Sequence, residues 1–209
     1  AMVLHGFCSR PAVAGDSVII QPGETYETSF IAGQPGTYFY RATASTKIGF
    51  FGLPLPFTTD TQLFGAFIVD PAGKKPDPTE RIMMISMWNN NIKFDSTTHE
   101  QNSINGLSWP FTERLTYKQG EEVNWKVINA SNQQHPMHLH GIPQLVVAKD
   151  GWTLPEPHFE DTVLVAPGER IDVLVDATEV GTWAFHCHIL THAEGPDGMF
   201  GMVTALIVE

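Results

Sequence analysis

Positive charge is scarce in this 209-residue chain: 12 Lys and Arg stand against 23 Asp and Glu, a formal net charge of −11. Nucleic-acid backbones are held by clustered cations, and no basic patch is present, which argues against a nucleic-acid partner. The pair Lys74-Lys75 is expected to be a solvated turn. Also missing is any apolar run long enough to span a bilayer, so no membrane span is expected. No signal peptide is visible, although a processed export signal would leave the same picture. Cysteine is nearly absent. Only Cys8 and Cys187 occur, too few to report on the redox compartment, and a Cys187 committed to a metal would form no disulfide.

What is present is the composition of an ordinary globular protein, 42% hydrophobic and 17% charged. The 18 Gly and 15 Pro favour many turns and short strands over long helices. Period-2 alternation with Pro and Gly punctuation runs through most of the chain, as in 122–129, 144–149 and 161–165. Segments also repeat. Pro22-Gly23-Glu24 and the alternating 25–30 match Pro167-Gly168-Glu169 and 170–175, and Gly36-Thr37-Tyr38-Phe39-Tyr40 matches Gly181-Thr182-Trp183-Ala184-Phe185 at the same offset. Each copy closes on an apolar strand and an acid, Phe67-Ile68-Val69-Asp70 and Leu206-Ile207-Val208-Glu209. Leu4-His5-Gly6 matches Leu139-His140-Gly141. Pro71 to Pro78 has linker composition. The expectation is therefore an all-β chain of two sandwich-like domains, 1–75 and 76–209. The first copy lacks the counterpart of the long stretch ahead of Leu139-His140-Gly141, so its N-terminal strands are expected to be missing, in a fragment or supplied by another chain.

Six of the nine histidines fall in two short motifs and at His192. In His186-Cys187-His188 an apolar strand runs into three potential ligands. Alternation points Cys187 to one side and both histidines to the other. In His135-Pro136-Met137-His138-Leu139-His140-Gly141 the same rule puts His138 and His140 on one face, with His135 free to reach the other. Buried polar groups are costly without partners, so two metal sites flanking one strand are expected. Cys187, His135 and His192 with a thioether make the trigonal set that suits copper in electron transfer, whereas zinc prefers paired Cys-x-x-Cys or three histidines with water. Met199 is the expected axial donor and Met202 its competitor.

The two motifs, with Ile104-Asn105-Gly106 and Asp161-Thr162-Val163 ahead of Pro167-Gly168-Glu169, resemble the last domain of multicopper oxidases, the laccases and their relatives. The resemblance implies two cupredoxin-like Greek-key β-sandwiches. It implies a type 1 copper held by His135, Cys187, His192 and Met199, a type 2 ligand in His138, and type 3 ligands in His140, His186 and His188. The spacing from His192 to Met199 is two residues longer than the family pattern. It implies further that a small donor (a phenol, an aromatic amine or a metal ion) is oxidised at the type 1 copper while a trinuclear cluster reduces dioxygen. A periplasmic or secreted location goes with it.

The pattern breaks in the first copy. The family's first domain supplies two His-x-His pairs, which the internal alignment places at Val3 and His5 and at Arg41 and Thr43. Only His5 remains, and the Arg41 charge opposes a neighbouring cation. Two functions thus stand side by side: a laccase-like oxidase completed by a homo-oligomer or a complementary N-terminal fragment, or a type 1 copper electron carrier without a working cluster. An inert structural remnant is a third. His99 and His158 are expected on solvated loops, Cys8 as a small hydrophobe, and Asp16 and Glu194 as solvated carboxylates near the motifs.

Overall fold

The computed structural model describes residues 2–5, 18–43, 63–89 and 100–209, with backbone alone at 2–5, 43, 88, 89 and 100. Cys8, Asp16 and His99 lie outside the described residues. The first four strands, β1 (Met2–His5), β2 (Val18–Ile20), β3 (Gly36–Thr43) and β4 (Phe64–Val69), form one antiparallel sheet in the order β2-β1-β3-β4. A six-stranded sheet follows. It contains β5 (Arg81–Asn89), β6 (Glu100–Ile104), β8 (Glu122–Asn129), β10 (Gln144–Lys149), β11 (Trp152–Glu160) and β13 (Arg170–Asp176), ordered β11-β10-β13-β8-β5-β6. The third sheet, β12-β9-β14-β17-β7, is built from β7 (Arg114–Tyr117), β9 (His135–Leu139), β12 (Thr162–Val165), β14 (Gly181–Cys187) and β17 (Val203–Val208). Among the described residues there is also a short ribbon of β15 (Glu194–Gly195) with β16 (Gly198–Met199).

The six- and five-stranded sheets face one another, and their inward residues make one core. Val123, Trp125 and Val127 alternate inward from β8, and Phe185 and Cys187 from β14, all fully or nearly fully buried. Trp125 and Phe185 meet with ring centroids 5.1 Å apart. The parallel pairs β5 with β8 and β7 with β17 arise because each partner returns from a distant part of the chain, as in a Greek key. The protein is all-β and cupredoxin-like. Among the described residues no helix is long and apolar enough to cross a membrane.

The repeat appears as repeated structure. Gly36 opposes Val69 across β3 and β4, and Gly181 opposes Val208 across β14 and β17, so both copies close in the same register. The Pro-Gly-Glu turns match as well. Glu24 N–H donates to Gln21 O and Gln21 N–H to the Glu24 carboxylate, at 3.0 and 3.1 Å. In the second copy Glu169 and Ala166 repeat both bonds at 3.0 and 2.9 Å.

Two expectations are corrected and one is extended. The alternating 25–30 forms no strand, although its counterpart is β13. Hydrogen-bonded neighbours make the difference: β13 lies between β8 and β10, and no described strand flanks 25–30. The Lys74-Lys75 pair is exposed at a turn, as expected, and Lys74 also pairs with neighbouring acids. It bridges Asp70 at 2.7 Å and Glu80 at 2.8 Å, and these bonds hold its ammonium well above the usual lysine range. The chain of charges continues to nearly buried Lys126, 3.7 Å from Glu80 and 2.9 Å from Asp172. His158 sits on edge strand β11 rather than a loop, exposed and 2.9 Å from Glu160.

The first sheet lies on the outer face of the six-stranded sheet, where Phe39, Phe64 and Ala66 pack against Met84, Ile128 and Ala130. Arg170 joins the two by donating from Nε to Thr37 O at 3.3 Å. Gly36 lets the backbones meet. A β-carbon there would stand 2.6 Å from Gly151 O and 2.8 Å from Gly151 Cα, whereas one at the equivalent Gly181 would only touch the Trp183 ring at 3.4 Å. Gly36→Ala is therefore expected to cost about 1–3 kcal/mol in urea unfolding, clearly more than Gly181→Ala. Equal losses would show that Gly36 is not held by this approach.

Candidate metal centre

Strand alternation puts the potential ligands on two sides of the five-stranded sheet. On β9 the buried residues are His135, Met137 and Leu139, so His138 turns outward. On β14 Phe185 and Cys187 turn inward and His186 outward. The strands pair antiparallel with Cys187 opposite Met137 and His186 opposite His138, and this register gathers the ligands. His192 is delivered separately by a single 3-10 turn, Leu190–His192, which folds it back into the core at 2% exposure.

The inner group is His135, Cys187 and His192, whose ligand atoms all lie within 4.8 Å of one another. Cys187 Sγ stands 3.7 Å from His135 Nδ1 and 3.6 Å from His192 Nδ1. A metal bonded at about 2.0–2.3 Å to nitrogen and sulfur separates such atoms by about 3.6–3.8 Å, so the cavity already fits an ion. Burial, with the neighbouring His192, pushes His135 down to about 3, and burial pushes the Cys187 thiol up to about 11. Burial thus disfavours charge on His135 and on the free Cys187 thiol, and a metal cation bound at the sulfur displaces its proton. Two imidazoles and a thiolate, shielded from water, make a donor set that copper suits.

The loop behind the site is held by backbone bonds. Cys187 N–H donates to Met202 O at 3.0 Å, and Met202 N–H to His192 O at 2.9 Å. Gly201 has φ +69°, and a β-carbon there would run into His192 O, so only glycine serves. Met202 is fully buried, while Met199 is 52% exposed on the ribbon strand paired with Glu194, itself exposed.

The outer group is His138, His140, His186 and His188. Ring centroids lie 4.8 Å apart for His138–His140, 5.1 Å for His140–His186 and 5.4 Å for His186–His188. His186 Nδ1 donates to Cys187 O at 3.0 Å, and His138 Nδ1 to Asp161 O at 2.9 Å. In the neutral form of either ring Nε2 is the nitrogen left to accept or to bind a metal. His186 Nε2 lies 2.9 Å from His140 Nε2, a spacing that two ligands on one ion would also show. Burial, with the three neighbouring imidazoles, holds His186 below the usual histidine range. Among the described residues, however, only the inner group brings three ligand atoms within 4.8 Å; the outer group is open on its solvent side.

His5 is described only by its place on β1, where it pairs with Arg41, and Val3 pairs with Thr43. In the second copy His186, the counterpart of Arg41, pairs instead with His138, the counterpart of Val3, so the copies differ here by two residues in register. The contacts that spacing could not show are those of Ser131, 2.7 Å from His135 Nε2, and of the Asp161 carbonyl on His138. The run 161–163 was visible as a motif, but its carbonyl carried no signal.

A double-sheet sandwich with a buried pair of imidazoles and a thiol has the build of a cupredoxin, the blue-copper class of domain. The family model described as multicopper oxidase matches residues 77–208, and the chain belongs to that family. Copper is its cofactor. The chain is 28% identical over 202 residues to a probable nitrite reductase–hydroxylamine oxidoreductase fusion protein of Kuenenia stuttgartiensis, covering 91% of this chain and 22% of that protein. It is 31% identical over 134 residues to a copper resistance protein A homolog of Pseudomonas syringae pv. tomato, covering 63% and 20%. The chain thus spans about a fifth of the length of each of these curated relatives. Among solved structures, the blue copper oxidase of Nitrosomonas europaea superposes with a TM-score of 0.79 at 27% identity, over 99% of this chain and 69% of that one.

Proposed function

We propose that this chain carries the type 1 copper of a laccase-like multicopper oxidase that takes single electrons from a small donor and passes them to dioxygen. The observation that carries the reading is the end of β14, where Cys187 faces the inner group while His186 and the following His188 face the outer one. Copper supplies one-electron redox chemistry at the inner group and a dioxygen-reducing centre at the outer. His135, Cys187 and His192 hold the first ion, with Met199 or Met202 as thioether. His138, His140, His186 and His188 provide half of the second centre. Cys187 links the two by its own covalent frame, and the 3.0 Å bond from His186 Nδ1 to Cys187 O adds a second short path. Donors of the phenol, aromatic amine or metal-ion class fit this chemistry, and a periplasmic or secreted location fits the family.

The placement of the first sheet supports assembly. It covers the outer face of the six-stranded sheet, whereas the outer histidines project from the five-stranded one. The first-copy positions Val3, His5, Arg41 and Thr43 therefore suit a neighbouring molecule better than their own chain, in a homo-oligomer or with a complementary N-terminal fragment. The strand pairing supports a division into units of 1–75 and 76–209.

The test is copper per chain after reconstitution, together with oxygen uptake on a phenolic donor. Three to four copper ions with uptake are expected for the oxidase. One blue copper and no uptake would replace this reading with an electron carrier.

A further inference from the structure

His135 is completely buried and must offer a bare Nδ1 toward Cys187 if the inner group is to bind metal, so its proton has to reside on Nε2. We infer that Asn129 and Ser131 form a hydrogen-bond clamp that fixes this tautomer and so positions His135 as a metal ligand. The inference rests on the type 1 reading of the inner group and adds two residues that no ligand motif contains.

The direction of every proton in the clamp follows from geometry. Asn129 Nδ2 lies 2.7 Å from Gln133 O and 2.9 Å from Val165 O. Carbonyl oxygens only accept, so this end of the amide is the NH₂ and the other is the oxygen. Asn129 Oδ1 in turn receives the Ser131 backbone N–H at 2.9 Å and stands 2.7 Å from Ser131 Oγ. Two oxygens that close need a proton between them, and only the serine has one. Gln133 O, 3.1 Å away, is the other neighbour able to take that proton, and it too only accepts. The hydroxyl proton is committed in either case. Toward His135 Nε2, at 2.7 Å, Ser131 Oγ can only accept, and Nε2 therefore carries the hydrogen. Nδ1 is left as a lone pair 3.7 Å from Cys187 Sγ.

The clamp is rigid because its frame belongs to the fold. Asn129 ends β8, its N–H donates to Glu169 O at 3.0 Å, and its carbonyl receives Gly168 N–H at 2.9 Å. The Pro-Gly-Glu turn thus holds the residue that orients the serine that orients the ligand. An acceptor on the far nitrogen of a ligating imidazole also raises its basicity and favours the more highly charged ion. Losing that acceptor should weaken copper binding and raise the reduction potential.

The test begins with the wild-type chain before copper is added. Imidazole ¹⁵N shifts are expected to show His135 as the Nε2–H tautomer, and a predominant Nδ1–H form would overturn the clamp. Ser131→Ala is then expected to mix the tautomers, lower copper affinity by about 10- to 100-fold and raise the potential. Ser131→Thr, which keeps the hydroxyl, should restore all three. A Ser131→Ala chain with unchanged tautomer, affinity and potential would overturn the proposal. Should that variant not fold, the wild-type tautomer still decides. A loaded wild-type chain with no blue colour but an Nε2–H His135 would instead sink the type 1 reading and leave the clamp standing.

Discussion

Cys187→Ser is expected to abolish the intense blue absorption of the copper-loaded chain, because that band is charge transfer from a thiolate sulfur. Serine at this position has no accessible anionic form, so the inner group loses its thiolate, which is its strongest soft ligand and its only negative charge. Copper left at two neutral imidazoles should bind far more weakly and look like an ordinary pale cupric site. The fold should survive. Serine is no larger than cysteine, and its hydroxyl can bond to His135 or His192, whose Nδ1 atoms already stand 3.7 and 3.6 Å from Sγ. A stability loss of no more than about 1–2 kcal/mol follows for a buried polar group that finds a partner. Visible absorption and a urea midpoint on the same preparation check both halves. Persistence of the blue band would remove Cys187 from the site.

Phe185→Ala tests the strand that carries the site rather than the site itself. Phe185 is fully buried, packs on Trp125 at 5.1 Å between centroids, and points the same way as Cys187 two residues on. Its loss opens a cavity between the two sheets and should cost about 3–5 kcal/mol. Against a total of about 5–15 kcal/mol for a domain, that is enough to unfold a marginal variant on warming. The urea midpoint should fall sharply with little change in slope. A change below about 1 kcal/mol would mean that this side of β14 does not face the core, and the inward placement of Cys187 would fall with it.

Much of the centre was legible in advance because a strand has a period of two. Alternation alone separates Cys187 from His186 and His188, and the structure keeps that division. The repeat was legible for a similar reason. A Pro-Gly-Glu turn needs a positive φ at its glycine, and Gly23 and Gly168 supply it at +82° and +76°. Where local pattern was the only guide, it misled. The segment 25–30 alternates as well as β13 does, yet a strand needs neighbours to complete its ladder, and composition does not supply them. The ion pairs of exposed Lys74 carried no local signal either, because its partners, Asp70 and Glu80, are chosen by how the linker folds back.

The sequence by itself determined the donor types, the two faces of β14 and the all-β architecture, since each follows from residue identity and short-range periodicity. Tertiary structure decided what approaches each face. It set the register that places His186 opposite His138, the docking of the first sheet away from the outer histidines, and the Asn129–Ser131–His135 contacts. These unite segments far apart in the chain, and long-range pairing is settled by burial and hydrogen bonding across the whole sandwich rather than by any local run of residues.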